Sequence, residues 1–256
     1  MRVLAFSDSH GNISDVQRLL QIESNNNYDA IIAAGDLGRY GNPCIKARTI
    51  IEMLSPFSCP VLFVLGNSDP ETDKEKVDWP INGNIISEEP IIIGRYSVVG
   101  LNNIYSVNPQ LTKNKMSLLS NAVIKHKVDP RKLIIVTHER MYSLNKFIDA
   151  GPPLLYLYGH HHKPQHTIHK DTNFINCSTL DSKRSKWGAG LYWTIEINEK
   201  KIIVQPKPLG RPTRRAFFTS GRKATNQIDI FKRIYPNFEV TNLDRGIIYT
   251  PTQKTY

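Results

Sequence analysis

Five short apolar runs set the rhythm of the chain: Arg2–Ser7, Asp29–Ala34, Val61–Leu65, Lys132–Thr137 and Leu154–Tyr158. Each is rich in Val, Ile, Leu, Phe, Ala or Tyr, lacks polar alternation, and is bounded by turn residues. That pattern predicts buried strands. Helical spacing fills the intervals. Ser14–Glu23 brings Val16, Leu19, Leu20 and Ile22 to one broad face, and Pro43–Leu54 opens on proline and carries Ile45, Ile50, Ile51 and Leu54. Leu111–Lys127 and Glu139–Ile148 are a third and a fourth candidate helix. Residues 84–103 instead read as short strands at Ile85–Ile86, Pro90–Gly94 and Tyr96–Leu101, with a turn at Gly94-Arg95. Between residues 165 and 205 strands follow one another at Thr167–His169, Asn173–Cys177, Leu191–Ile197 and Ile202–Gln205. A β-α-β half followed by a strand-dominated half predicts an α/β fold, a two-sheet sandwich flanked by helices. Pro-Lys-Pro and Gly-Arg-Pro between Pro206 and Pro212 break regular structure. They divide the chain into a domain at 1–205 and a C-terminal extension at 206–256, in which Gln227–Ile234 reads as a helix and Gly246–Tyr249 as a strand.

Composition narrows the class. The chain has 256 residues, 40% hydrophobic and 22% charged, enough to bury a core without disulfides. Cys44, Cys59 and Cys177 form no C-x-x-C pair, which fits a reducing compartment. The apolar run after Met1 is too short for a signal-peptide core. No run approaches the roughly 18 residues of a membrane helix. A soluble, cytoplasmic protein without membrane contact is expected. The net charge is +10, and it is unevenly placed. Residues 1–199 carry 21 Lys+Arg against 20 Asp+Glu, and residues 200–256 carry 12 against 3. A basic extension of this kind is either a contact for nucleic acid or another polyanion, or a solubilising surface. Arg214-Arg215-Ala-Phe217-Phe218 and Arg222-Lys223 could stack bases and neutralise phosphates. The same aromatics could tie the segment to the main domain.

The chemistry sits where the apolar runs stop. Arg2–Ser7 leads into Asp8-Ser9-His10, and Asp29–Ala34 into Gly35-Asp36-Leu37-Gly38. Val61–Leu65 leads into Gly66-Asn67-Ser68-Asp69, Lys132–Thr137 into His138, and Leu154–Tyr158 into Gly159-His160-His161-His162. The carboxyl ends of strands are where open α/β sheets gather ligands. Strand ends ~5 Å apart bring all five clusters to one patch. Imidazole together with carboxylate and amide oxygen suits Mn, Fe, Zn or Ni. Two ions ~3.5–4 Å apart need a ligand that touches both, and the two oxygens of Asp36 suit that task. Gly35, Gly38, Gly66 and Gly159 are expected to turn the backbone sharply so that the side chains reach inward. Each motif alone has an ordinary reading as a turn, a cap or a core histidine. Five of them at five strand ends do not.

The set Asp8-x-His10, Gly35-Asp36-x-Gly38, Gly66-Asn67-x-Asp69, His138 and Gly159-His160-x-His162 resembles the calcineurin-like metallophosphoesterases over about residues 1–205. The resemblance implies two divalent metal ions, manganese first among them. Asp8, His10 and His162 would hold one ion, Asn67, His138 and His160 the other, and Asp36 would bridge. It implies a phosphate-ester substrate, with Asp36, Asn67 and His138 serving the reaction. A metal-bridging hydroxide would attack phosphorus, since metal lowers the pKa of water from about 15.7 toward about 7.

One position departs from the family. Where the family usually reads Gly-Asn-His-Asp/Glu, this chain has Ser68, and Asp69 stands without the histidine it would orient. General acid catalysis contributes ~10²–10⁴-fold. A branch of small prokaryotic phosphodiesterases similar to this chain carries Cys or Ser there, which favours diesters over monoesters. His161 is a candidate replacement donor, although the middle residue of an extended triplet points away from its neighbours. Two other functions share the fold: a nuclease gripping DNA or RNA through the extension, and a non-catalytic scaffold. Intact residues at all seven ligand positions argue against a scaffold, and Ser68 argues slightly for one. Asn12, Arg39 and Tyr40 are expected at the mouth of the site. Asn176-Cys177-Ser178-Thr179 resembles the family's Asn-Pro-Gly-Ser strand end, and the basic Lys183, Arg184 and Lys186 follow it. Exposed strand edges in the second half could support an oligomer.

Overall fold

The computed structural model describes residues 1–41, 43–69, 79–102, 109–141, 151–185, 188–199, 201–210, 216–219, 229–234, 238–243 and 246–251. The strands are β1 (Arg2–Phe6), β2 (Ala30–Ala34), β3 (Val61–Val64), β4 (Gly83–Ile85), β5 (Ile91–Ile93), β6 (Tyr96–Leu101), β7 (Leu133–Thr137) and β8 (Leu155–Tyr158). They continue with β9 (Gln165–His169), β10 (Thr172–Asn176), β11 (Leu191–Ile197), β12 (Ile202–Pro208), β13 (Ala216–Thr219), β14 (Phe238–Leu243) and β15 (Gly246–Pro251). The helices are α1 (Ile13–Glu23), α2 (Ala47–Met53) and α3 (Pro109–Lys125), with a further short helix at 229–234.

Two six-stranded sheets form a sandwich, in the orders β12-β11-β1-β2-β3-β4 and β5-β6-β7-β8-β10-β9. Strands β1 to β4 are mutually parallel, with β11 and β12 added antiparallel. In the second sheet β6, β7, β8 and β10 are parallel, with antiparallel edges at β5 and β9. The apolar runs lack alternation because both faces of their strands are covered. Val3, Ala5, Leu62 and Val64 turn toward Ile134, Val136, Leu155 and Leu157 in the core between the sheets. Leu4, Phe6, Val61 and Phe63 turn the other way, under α1 and α2. On the far side Leu133, Ile135, Tyr156 and Tyr158 pack beneath Met116, Leu119 and Val123 of α3.

Several elements differ from the sequence pattern. Helix α2 starts at Ala47, not at Pro43. Arg39 and Ile45 exchange backbone hydrogen bonds (2.8 and 3.2 Å), which holds the chain extended there. The Ile45 side chain covers Gly11, where an added Cβ would lie 2.7 Å away. Residues 139–141 are not helical, and the rest of the expected helix Glu139–Ile148 lies outside the described residues. Strand β12 runs past residue 205 to Pro208, which pairs with Leu191. The 229–234 helix buries Ile230 and Phe231 in the core between the sheets. Part of the extension therefore contributes to the main core. Strands β13, β15 and β14 make a separate three-stranded sheet. Arg214, Arg215, Arg222, Lys223 and Lys186 lie outside the described residues. Among the described residues no helix is long and apolar enough to cross a membrane.

Candidate metal centre

Both sheets present the carboxyl ends of their parallel strands to one edge. The clusters after β1, β2 and β3 arrive from the first sheet, and those after β7 and β8 from the second. Main-chain bonds lace the loops together. Asp8 N–H donates to Gly35 O (2.9 Å), His10 N–H to Asp36 O (2.9 Å) and Gly159 N–H to His138 O (2.8 Å). Other bonds cross between the sheets, among them His160 N–H to Asp8 Oδ2 (3.0 Å) and His138 Nδ1 with Ala34 O (2.9 Å). The carbonyl partner makes Nδ1 the protonated nitrogen of His138 and leaves Nε2 facing the site.

All seven candidate ligands meet at this edge. His10 Nε2 lies 2.9 Å from His162 Nε2, which is 3.2 Å from Asp8 Oδ1. His138 Nε2 lies 3.3 Å from Asp36 Oδ1 and 3.1 Å from Asn67 Oδ1, and His160 Nδ1 lies 2.9 Å from the same Asn67 oxygen. Asp36 Oδ2 faces His10 Nδ1 at 3.9 Å, so its two oxygens look toward the two groups. Asp8, His10 and His162, and likewise Asp8, Asp36 and His138, have ligand atoms within 4.8 Å of one another. Asp8 belongs to both trios, whereas the sequence pattern points to a shared role for Asp36 alone.

The donors fit divalent metal. Imidazole, carboxylate and amide oxygens converge at hydrogen-bond distances, and His10 Nδ1 is buried with no hydrogen-bond partner. Such an orphan is costly unless something else occupies the space before it. Electrostatics agree. Burial works to raise the Asp36 carboxyl, but His138 and the Ser68 amide outweigh it and hold it well below the usual range. Asp8 is lowered too, with His162 and His138 overcoming its burial. Burial would depress His138, yet Asp36 and Asp8 raise it to about 9. Burial lowers His10. The carboxylates are therefore charged and ready to receive a cation.

The local backbone is unusual. Asp8 (φ 55°), His10 (46°), Asp36 (52°), His160 (72°) and His162 (48°) occupy the left-handed region. Asp and His enter it more readily than most residues, but at about 1–2 kcal/mol each. His160→Gly is therefore expected to leave the metal-free protein more stable than His160→Ala, by about 1 kcal/mol after the chain-entropy offset. Both variants lose the imidazole. Urea denaturation of the two metal-free variants measures the difference, and an equal or reversed order means that no strain is stored there.

Glycine serves the site mainly through space. Of the four motif glycines, only Gly35 has a positive φ (84°). A Cβ on Gly35 would come within 2.7 Å of His138 Nδ1, and one on Gly159 within 2.5 Å of Asp8 Oδ2. A Cβ on Gly66 would meet Asp36, and one on Gly38 the Ile45 carbonyl. At Gly38, Gly66 and Gly159 the demand for glycine comes from a ligand or backbone group lying against the Cα.

Other expected residues fall into place. Asn12 caps α1, and its Nδ2 donates to Asp15 Oδ2 and Asp181 Oδ1 (2.7 Å each). It fastens the 180–185 segment beside the first ligand loop, and Asp181 N–H bonds Asp8 O (3.1 Å). Asp15 and Asp181 are buried polar residues that no motif marked. Arg184 stands 3.8 Å from Asp181. The Tyr40 hydroxyl donates to Asp69 O (3.0 Å). Exposed His161 sits edge-on to His160, with ring centroids 5.1 Å apart. Asp69 is the main residue whose role the sequence missed. It is fully buried, and its oxygens accept from Gly38 N–H (2.6 Å) and Gly66 N–H (2.7 Å). Burial, only partly offset by those amides, raises it to about 7.

A two-sheet α/β sandwich gathers, at its carboxyl edge, Asp and His groups that could hold metal. The sequence profile of the calcineurin-like phosphoesterases matches residues 1–164, and the chain belongs to that family. No curated protein matches it in sequence. Among solved structures, the Thermus thermophilus protein TT1561 superimposes with a TM-score of 0.59 at 17% identity, over 82% of this chain and 99% of that one. A phosphodiesterase from an archaeon gives 0.53 at 16% identity, over 80% and 99%. GAP50 of Plasmodium, the anchor in its inner membrane complex, gives 0.56 at 13% identity, over 91% and 94%. At these identities the likeness is one of fold.

Proposed function

We propose that this protein hydrolyses phosphodiesters with a pair of divalent ions, manganese foremost and Fe, Zn or Ni as alternatives. Asp8, His10 and His162 would hold one ion, and Asn67, His138 and His160 the other, with Asp36 between them. The observation that carries the proposal is the placement of Asp36, with one oxygen toward His138 and the other toward His10. Bound there, such ions supply a water of lowered pKa and neutralise the oxygens of the phosphate. The chain's own part is preorganisation. The Ala34 carbonyl orients His138, and Ser7 Oγ and the His160 amide hold Asp8. The Asn67 oxygen gathers His138 and His160. Diesters are preferred over monoesters because position 68 carries no imidazole to meet the more highly charged phosphate of a monoester. The family branch with Cys or Ser at that position points the same way, and one structural neighbour is described as a phosphodiesterase.

The test compares bis(p-nitrophenyl) phosphate with p-nitrophenyl phosphate, with Mn²⁺ or with chelator. Nitrophenolate leaves without a proton, so neither ester needs a leaving-group acid. Chelator-sensitive hydrolysis, at least about tenfold faster on the diester, is expected. Faster monoester cleavage would reverse the substrate preference, and indifference to chelator would remove the metals.

A further inference from the structure

Ser68 departs from the family's pattern, and its geometry gives it a different task from a histidine's. Its main-chain N–H donates to Asp36 Oδ1 (2.7 Å) and its hydroxyl to Asp36 Oδ2 (2.9 Å). One residue thus grips both oxygens of one carboxylate. A hydroxyl has a single proton to donate, and here it goes to Asp36. The Asn67 side-chain amide in turn points at the hydroxyl oxygen (3.4 Å). The turn that carries Ser68 is itself fixed. Buried Asp69 bonds Gly66 N–H at the start of the turn and Gly38 N–H two residues beyond Asp36. The family's histidine and acid positions are thus occupied by one residue that holds Asp36 and another that pins its two loops together.

We infer that Ser68 is a positioning residue for Asp36. By holding both oxygens it stops the carboxylate from rotating, and so fixes which oxygen faces His138 and which faces His10. Its hydroxyl serves the metal bridge and not the substrate. This rests on the metal centre proposed above, but not on which ester is cleaved.

The decisive measurement is calorimetric titration of metal-free full-length protein with Mn²⁺, for the wild type, Ser68→Ala and Ser68→Thr. Outer partners of metal ligands typically change affinity 10–100-fold. Ser68→Ala is expected to weaken the more sensitive ion about tenfold and to alter the electron paramagnetic resonance signal of the paired Mn²⁺. Ser68→Thr, which keeps the hydroxyl, is expected to stay within about threefold of wild type. In turnover of bis(p-nitrophenyl) phosphate, Ser68→Ala should lower kcat and leave KM in place. Wild-type affinity and an unchanged signal in Ser68→Ala overturn the inference alone. So does equal weakening in both variants, which would mark a disturbed turn. A wild-type protein that binds none of Mn²⁺, Fe²⁺, Zn²⁺ or Ni²⁺ overturns the inference and the proposed function together.

Discussion

Asp36→Asn is expected to cut kcat/KM on bis(p-nitrophenyl) phosphate by about 10³-fold or more and to reduce the bound metal from two ions to one. The substitution keeps the shape and removes the charge. Asp36 is nearly fully buried, with His138 at 3.3 Å and His10 at 3.9 Å from its two oxygens. An amide offers one acceptor oxygen instead of two and cannot balance two cations. A 10³-fold loss corresponds to about 4 kcal/mol in the barrier, which is within reach of electrostatic preorganisation at a dry site. His138 loses the partner that raises it to about 9, so its imidazole becomes easier to deprotonate. The variant should therefore stay folded, since His138 can turn neutral in place of standing as an unpaired buried cation. Circular dichroism and metal analysis accompany the assay. Activity within tenfold of wild type, with both ions retained, rules out a bridging role.

Gly66→Ala should cost about 10²-fold in activity and about 1–3 kcal/mol in stability, for reasons of space alone. The φ at Gly66 is one that alanine accepts. The new methyl would overlap Asp36 Oδ1 and sit 2.5 Å from the Asp36 backbone nitrogen. The side chain can yield, but the backbone cannot without moving the loop after β2. Gly94→Ala is the matched control. Gly94 has φ 58°, and a Cβ added there would meet no group within 4 Å beyond its chain neighbours, so its loss should cost about 1 kcal/mol and leave turnover intact. A Gly66→Ala enzyme with full activity means that Asp36 is not held as tightly as the close contact implies.

Much of this architecture was legible in the chain. The apolar runs that became β1, β2, β3, β7 and β8 are buried on both faces, so they show as solid blocks of Val, Ile, Leu and Phe. Helix α1 declares itself by the spacing of Val16 and Leu19, because helical periodicity is local. Helix α2 was drawn too long since Pro43–Lys46 is governed by a bridge between Arg39 and Ile45, a pairing that propensity does not encode. The prolines and glycine between Pro206 and Pro212, together with the basic charge beyond them, mark 206–256 as a separate extension. Ile230 and Phe231 enter the main core, and a two-residue anchor leaves no periodic trace.

The sequence by itself determined which residues could bind metal, because ligand chemistry resides in residue type and each cluster follows its strand directly. It also marked Ser68 as the odd residue. Only the tertiary structure decided how the clusters meet. Three come from one sheet and two from the other, and they converge across the sandwich because both sheets direct their parallel strands to the same edge. Packing also decided what Asp69 and Ser68 do. Asp69 has no histidine to orient and binds the amides of Gly38 and Gly66 instead, while Ser68 turns onto Asp36. Gly38 and Asp36 lie some thirty residues earlier in the chain. Hydrogen bonds between such distant residues follow from how the loops pack, and no local pattern of residues records them.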